Sequence, residues 1–226
     1  MRKVFVMPVR KIPKNHLSVT GSFASRKNGK MGGFESILEK EYMLLLDFDD
    51  EVESFEEQPV NISVPGIARG YTPDVLVRFR EDLSTGQGRP PLLTEIKHSS
   101  DLNRNAEKYA PKFAAAELYV AELGWEFRIT TEKDIRIPRL ANLKFLREYR
   151  NVEPANTDCT RVIQLVNADG GTSALQSLLK SMAASDDEKL YWFPVIWNLI
   201  LTRRLITNLD ALFDDDILIH LPEDAP

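Results

Sequence analysis

Two short runs hold the residues best suited to chemistry. Pro73-Asp74 is followed, 95 − 74 = 21 residues later, by Glu95-Ile96-Lys97. Side chains alternate along a strand, so Glu95 and Lys97 project from one face. If the strands carrying Asp74 and Glu95 pair, all three side chains meet. Two carboxylates at one point make a hard-oxygen site suited to Mg²⁺, which binds through carboxylates, water and phosphate oxygens; Mn²⁺ is expected to substitute. The expected metal ligands are Asp74, Glu95, Glu39 from a preceding helix and the backbone carbonyl of Ile96. A metal so held polarises a phosphate oxygen and lowers the pKa of bound water. Lys97 beside it can orient that water or stabilise developing charge, and Glu39 can complete the metal shell or assist as a base. This is the chemistry of phosphodiester hydrolysis. Three His and one Cys leave little for zinc or thiol chemistry.

The same residues also have a plain structural reading. Pro-Asp is common turn chemistry, and an acid two residues from a lysine often marks a solvated strand face with a weak cross-strand ion pair. Against this, the charged side chains sit among Val75, Leu76, Val77, Leu92, Leu93 and Ile96, where unpaired charge is costly without a role.

The elements that must position them follow from hydrophobic spacing. Ile37, Leu38, Tyr42, Leu45 and Leu46 recur at three- and four-residue steps, the stripe of an amphipathic helix ending near Asp47–Asp50. Short extended segments follow at 52–55, 60–64 and 71–79, then a polar hairpin loop at 81–90 and a strand at 92–98. Residues 103–123 read as a helix, 127–130 as a strand and 140–149 as a helix. Such an order predicts an α/β core with a mixed sheet. Residues 151–160, rich in Asn, Pro and Thr, read as a linker. Residues 161–220 read as mainly helical, with helices near 172–184 and 188–202 and a short β-wing at the end, a pattern that fits a winged-helix-like module. The expected organisation is a basic arm at 1–33, a catalytic domain at 34–150 and a helical partner-docking domain at 151–226.

Charge is uneven along the chain. The net charge is −5, yet residues 1–30 hold eight basic side chains and no carboxylate, whereas 151–226 hold five basic and twelve acidic groups. Asymmetry of this kind marks a polyanion-binding arm beside a domain with another task, or simply a solvated basic tail. Arg26, Lys27 and Lys30 are the expected DNA-contacting residues of the arm, neutralising phosphates without reading sequence. One cysteine excludes an internal disulfide framework and suits a reducing cytoplasm. The longest apolar stretch, 191–201, is interrupted by Pro194 and Asn198 and is too short to span a bilayer.

Five motifs in order, Phe34-Glu35-Ser36-Ile37-Leu38-Glu39, Tyr42…Leu45-Leu46-Asp47-Phe48-Asp49, Val52…Phe55-Glu56-Glu57-Gln58-Pro59-Val60, Tyr71-Thr72-Pro73-Asp74 and Thr94-Glu95-Ile96-Lys97, resemble the TnsA family, the endonuclease subunits of heteromeric cut-and-paste bacterial transposases. The resemblance spans roughly residues 20–135. It implies a restriction-endonuclease-like PD-(D/E)xK fold, cleavage of the 5′ strands at transposon ends, a DDE-type transposase partner (TnsB-like) that cuts the 3′ strands, and an ATPase regulator (TnsC-like). Carried over by position, the family's helix glutamate falls on Glu39, its metal-binding aspartate on Asp74 and its lysine on Lys97. Glu35, one helical turn before Glu39, is the rival helix acid.

Other residues carry weaker expectations. Gln58 lines the site or stabilises its turn. His98 should face the opposite side of the sheet from Lys97 as a structural residue. Lys108 and Lys112 touch phosphate or form a solvated helix face, the second being favoured. Trp192, Phe193 and Trp197 are expected in the core or at a partner contact. Two other functional readings compete with the transposase nuclease: a free-standing restriction- or repair-type nuclease, and a non-catalytic DNA-binding or assembly subunit on the same fold.

Overall fold

The computed structural model describes residues 20–29, 31–81 and 88–222. The chain divides into two compact units, Met1–Arg136 and Ile137–Pro226. Among the described residues no helix is long and apolar enough to cross a membrane.

The first unit begins with an antiparallel hairpin, β1 (Gly21–Ala24) and β2 (Met31–Phe34), and passes into helix α1 (Ile37–Phe48). Strands β3 (Val52–Glu57), β4 (Ile62–Val64), β5 (Ile67–Tyr71), β6 (Val75–Phe79) and β7 (Leu92–Ile96) follow. Helices α2 (Ser99–Arg104) and α3 (Ala106–Leu123), strand β8 (Glu126–Thr130) and the short helix α4 (Glu132–Ile135) complete it. The central sheet has the order β3-β6-β7-β8. Its first two pairings are antiparallel, and β8 joins β7 in parallel.

Strand β7 is buried at all five positions, as expected of a central strand covered on both faces. Leu76 and Leu93 pack with Tyr71, Ala116 and Val120, so α3 covers one face. On the other face Val75 lies opposite Thr94, and Tyr42 of α1 lies close to Thr94 and Thr130. Gly124 ends α3 in the left-handed region at φ 67°, the conformation a helix C-terminus assigns to glycine.

Three expectations are corrected here. The stretch expected as an extended arm over residues 1–33 instead includes the β1–β2 hairpin; residues 1–19 and 30 lie outside the described residues. The segment expected as one strand at 71–79 is broken at Pro73, which cannot donate to a ladder; Tyr71 closes β5, paired with β4, and β6 starts at Val75. Residues 172–174 form a strand rather than the start of a helix.

The second unit holds α5 (Pro138–Arg147), α6 (Asn156–Ala168), β9 (Thr172–Ala174), α7 (Leu175–Met182), α8 (Asp186–Leu201), β10 (Ile206–Thr207) and β11 (Leu218–His220). The three strands form an antiparallel sheet in the order β10-β11-β9. The unit starts at Ile137, ahead of the boundary expected at 150, because α5 packs into it. The Phe145 ring meets Trp197 edge-on at 5.1 Å, and the Asn142 amide donates to the carbonyls of Leu209 and Ala211. Trp192 and Trp197 are buried. Leu143 is fully buried, and truncation of such a leucine costs about 2–5 kcal/mol. Leu143→Ala is therefore expected to lower amide hydrogen-exchange protection in α8 while leaving β6 and β7 protected. Loss confined to the first unit would contradict this boundary.

Candidate active site

The site forms where the β6–β7 ladder runs out. The last pair in register at this end is Val75 with Thr94. One step further Pro73 offers no N–H, and the Asp74 carboxylate takes the ladder's place: Oδ2 accepts the Ile96 N–H at 2.7 Å. The Lys97 N–H meanwhile donates to the Thr130 carbonyl at 3.1 Å, extending the parallel pairing with β8. Sequence spacing put Glu95 and Lys97 on one strand face, and that geometry is present. The Lys97 ammonium lies 2.8 Å from Glu95 Oε1 and 3.3 Å from Asp74 Oδ2, and donates to the Ile96 carbonyl at 3.1 Å.

Glu95 is held from its other side by Tyr71, whose hydroxyl donates to Oε2 at 2.8 Å. No role for Tyr71 emerged from the sequence, although it stands three residues before Asp74. Recognising it required knowing that β5 leaves the sheet and returns its terminal residue over Glu95.

Glu39 sits on the first turn of α1 in a reciprocal cap. Ser36 Oγ accepts the Glu39 N–H at 3.1 Å. The Glu39 carboxylate in return accepts from Ser36 Oγ–H at 2.8 Å and from the Glu35 N–H at 2.8 Å. Asp74, Glu95, the Ile96 carbonyl and Lys97 thus converge, while Glu39 stands beside them with both oxygens engaged by its own helix start. Gln58 is buried, adopts the left-handed region at φ 46°, and donates its N–H to the Asp74 carbonyl at 2.8 Å. A side chain at that φ is strained by roughly 1–3 kcal/mol, so the turn is held by its surroundings. His98 lies just past β7, with Nδ1 3.6 Å from Glu132.

Arg26 and Lys27, expected on DNA, are placed against the first unit. Arg26 lies 4.2 Å over the Phe48 ring and 3.7 Å from Asp47 Oδ2. Lys27 donates to the carbonyls of Asp49 and Val52. Lys30 lies outside the described residues.

The electrostatics are those of acids crowded around one cation. Burial, then the charge of Asp74, raises the Glu95 carboxyl to about 7 against the opposing pull of Lys97 and Tyr71. Burial and Asp74 also raise Glu39 to about 7. Asp74 is raised by burial, opposed by Lys97 and the Ile96 N–H. Burial alone would lower Lys97, but the Asp74 and Glu95 charges outweigh it and raise it.

These donors fit a hard divalent cation. Two carboxylate oxygens and one carbonyl oxygen already converge on the Lys97 ammonium. Among the described residues no group of three or more His, Cys, Asp or Glu side chains is arranged to hold a metal ion. A catalytic magnesium site needs only one or two carboxylates, since water and phosphate complete its shell.

Residues 49–132 match the family model described as TnsA-like endonuclease N terminal. The matched stretch contains Asp74, Glu95 and Lys97 and begins after Glu39. Comparison with curated proteins finds no match.

The pH consequence has a definite sign. Glu39 and Glu95 titrate near 7 in the folded protein against 4.5 ordinarily, so the metal-free fold binds more protons than the unfolded chain between those values. Their contribution to stability is full below about 4.5 and is lost as pH rises through about 7. Thermal melts of metal-free protein are expected to show Tm falling over this window. Asp74→Asn should flatten the fall, because it removes a charge that raises both groups; an unchanged slope would show that Asp74 does not act on them. The stretch from Asp49 to Glu132, which holds Asp74, Glu95 and Lys97, is thus similar to the N-terminal domain of TnsA-like endonucleases.

Proposed function

We propose that this chain is the Mg²⁺-dependent endonuclease subunit of a heteromeric bacterial transposase, cleaving the 5′ strands at transposon ends. The observation that carries the proposal is the convergence of Asp74, Glu95 and the Ile96 carbonyl on one cationic point, inside a stretch matched to a TnsA-like endonuclease. A restriction-endonuclease-like PD-(D/E)xK core is supported by the mixed four-stranded sheet, helices on both faces, and acids at the end of an antiparallel pair.

In this reading Asp74, Glu95 and the Ile96 carbonyl hold Mg²⁺, or Mn²⁺ in its place. The metal supplies charge neutralisation on the scissile phosphate and a water of lowered pKa. Tyr71 fixes the orientation of Glu95 through Oε2, so the carboxylate presents a defined edge. Lys97 presents its ammonium beside the same oxygens and donates a hydrogen bond where negative charge develops on phosphate. Glu39, titrating near 7, takes a proton from the attacking water. Ser36 and the Glu35 N–H keep its carboxylate in place. Arg26 and Lys27 serve this site indirectly, by fixing the hairpin that leads into Glu35 and Ser36.

The second unit runs helix, strand, helix, helix, strand, strand from α6 to β11, which supports a winged-helix-like reading. Residues 151–226 carry twelve acidic and five basic side chains, a balance better suited to a protein surface than to phosphate. We assign this unit to docking with a TnsC-like ATPase regulator or a TnsB-like DDE transposase. The assembly would act on double-stranded DNA in the bacterial cytoplasm.

Strand-resolved cleavage of transposon-end DNA in Mg²⁺, with the cognate DDE transposase, tests the proposal. Wild type is expected to give 5′-strand cuts that vanish with Asp74→Ala, while 3′-strand cuts persist in both. Survival of 5′ cuts in Asp74→Ala would refute the site. Efficient 5′ cutting without the partner would refute the subunit role.

A further inference from the structure

Helix α3 leaves the sheet beside the carboxylates and carries cations that the site described above does not use. At 100° per residue, its buried Tyr109, Ala116 and Val120 define one stripe. Lys108 and Lys112 fall together on one flank of that stripe, and Glu107 falls on the far side of the helix. Lys112 lies 5.8 Å from the Tyr71 ring and 5.9 Å from the Tyr109 ring, and the Tyr71 hydroxyl is the group that holds Glu95. Lys112 is therefore separated from the catalytic carboxylate by a single aromatic ring. Lys108 lies 5.9 Å from the Tyr109 ring. Arg104, at the end of α2, lines with Asn103, Asn105, Ala106, Glu107 and Lys108 an open cleft at the junction of the two helices. Arg104 and Lys108 are exposed. Two carboxylates lie beside them: Glu107 in the cleft lining, and Asp101, whose oxygens accept from Tyr109 Oη–H at 2.6 Å and Asn105 Nδ2 at 2.7 Å.

We infer that Arg104, Lys108 and Lys112 form the strip that carries the DNA phosphate backbone into the carboxylate site. The inference rests on the reading of this protein as a DNA endonuclease and adds where the duplex lies. Three cations on adjacent turns, ending over the tyrosine that holds Glu95, give consecutive phosphates a track whose near end is the reacting centre. Exposed cations beside a cleft neutralise phosphates without reading bases, so the interaction is sequence-tolerant and salt-dependent. Arg26 and Lys27 are differently placed, with their charge directed at Asp47, Phe48 and backbone carbonyls.

The test is the salt dependence of binding to a short DNA duplex, with Ca²⁺ replacing Mg²⁺. Full-length wild type is compared with the triple variant Arg104→Gln, Lys108→Gln, Lys112→Gln, and with Lys180→Gln in the second unit as a charge control. The logarithmic salt slope is expected to shrink by about 0.9 for each phosphate no longer neutralised, or about 2.7 for all three. The control should leave it unchanged. Asp101→Asn, which removes one of the two opposing charges, should tighten binding several-fold. A triple-variant slope equal to wild type, or an equal reduction in the control, overturns the strip and leaves the endonuclease reading standing. Wild type that fails to bind DNA overturns both.

Discussion

Everything at the centre of the first unit depends on one ammonium group balancing several buried oxygens. Lys97 meets Glu95 at 2.8 Å, the Ile96 carbonyl at 3.1 Å and Asp74 at 3.3 Å. Buried carboxylates are costly unless paired or protonated, and here one cation serves several acids. Burial, and then the charge of Asp74, raises the Glu39 and Glu95 carboxyls to about 7. Such a site is an energetic defect in the metal-free fold, and strongly perturbed acids of this kind mark candidate functional sites.

The surrounding fold holds that defect in place with few degrees of freedom. Asp74 is fixed through its side chain by the Ile96 N–H and through its carbonyl by Gln58. The strained φ of Gln58 directs that N–H. Glu57, just before it, is buried against β2, where a side chain at Gly32 would come within 3.2 Å of its carboxylate. From β2 the chain enters the Glu35–Ser36 cap that fixes Glu39. One turn, Glu57–Gln58, thus touches the supports of both Asp74 and Glu39, which gives a physical reason for a Glu-Gln-Pro run in a strand-ending turn.

Much of this was legible in the residues. Period-two spacing put Glu95 and Lys97 on one face, and Val75, Leu76 and Val77 marked a strand. The three- and four-residue steps from Ile37 marked α1. What was not legible required tertiary information. Pro73 splits what reads as one strand, and only the split brings Tyr71 back over Glu95. The β1–β2 hairpin does not announce itself, since its two strands are four residues each and hold Gly21, Gly32 and Gly33. Helix α5 reads as the end of the catalytic core because its pattern does not say which core its buried face joins. Its partners, Trp197 and Phe213, lie dozens of residues further on.

The central claim is that the oxygens now balanced by Lys97 are a metal site. Calorimetric titration of Mn²⁺ into the full chain and into Asp74→Asn tests it most directly, because it requires neither DNA nor a partner. The account expects saturable binding to wild type that is abolished or weakened at least tenfold in Asp74→Asn. Equal binding by the two proteins would contradict it.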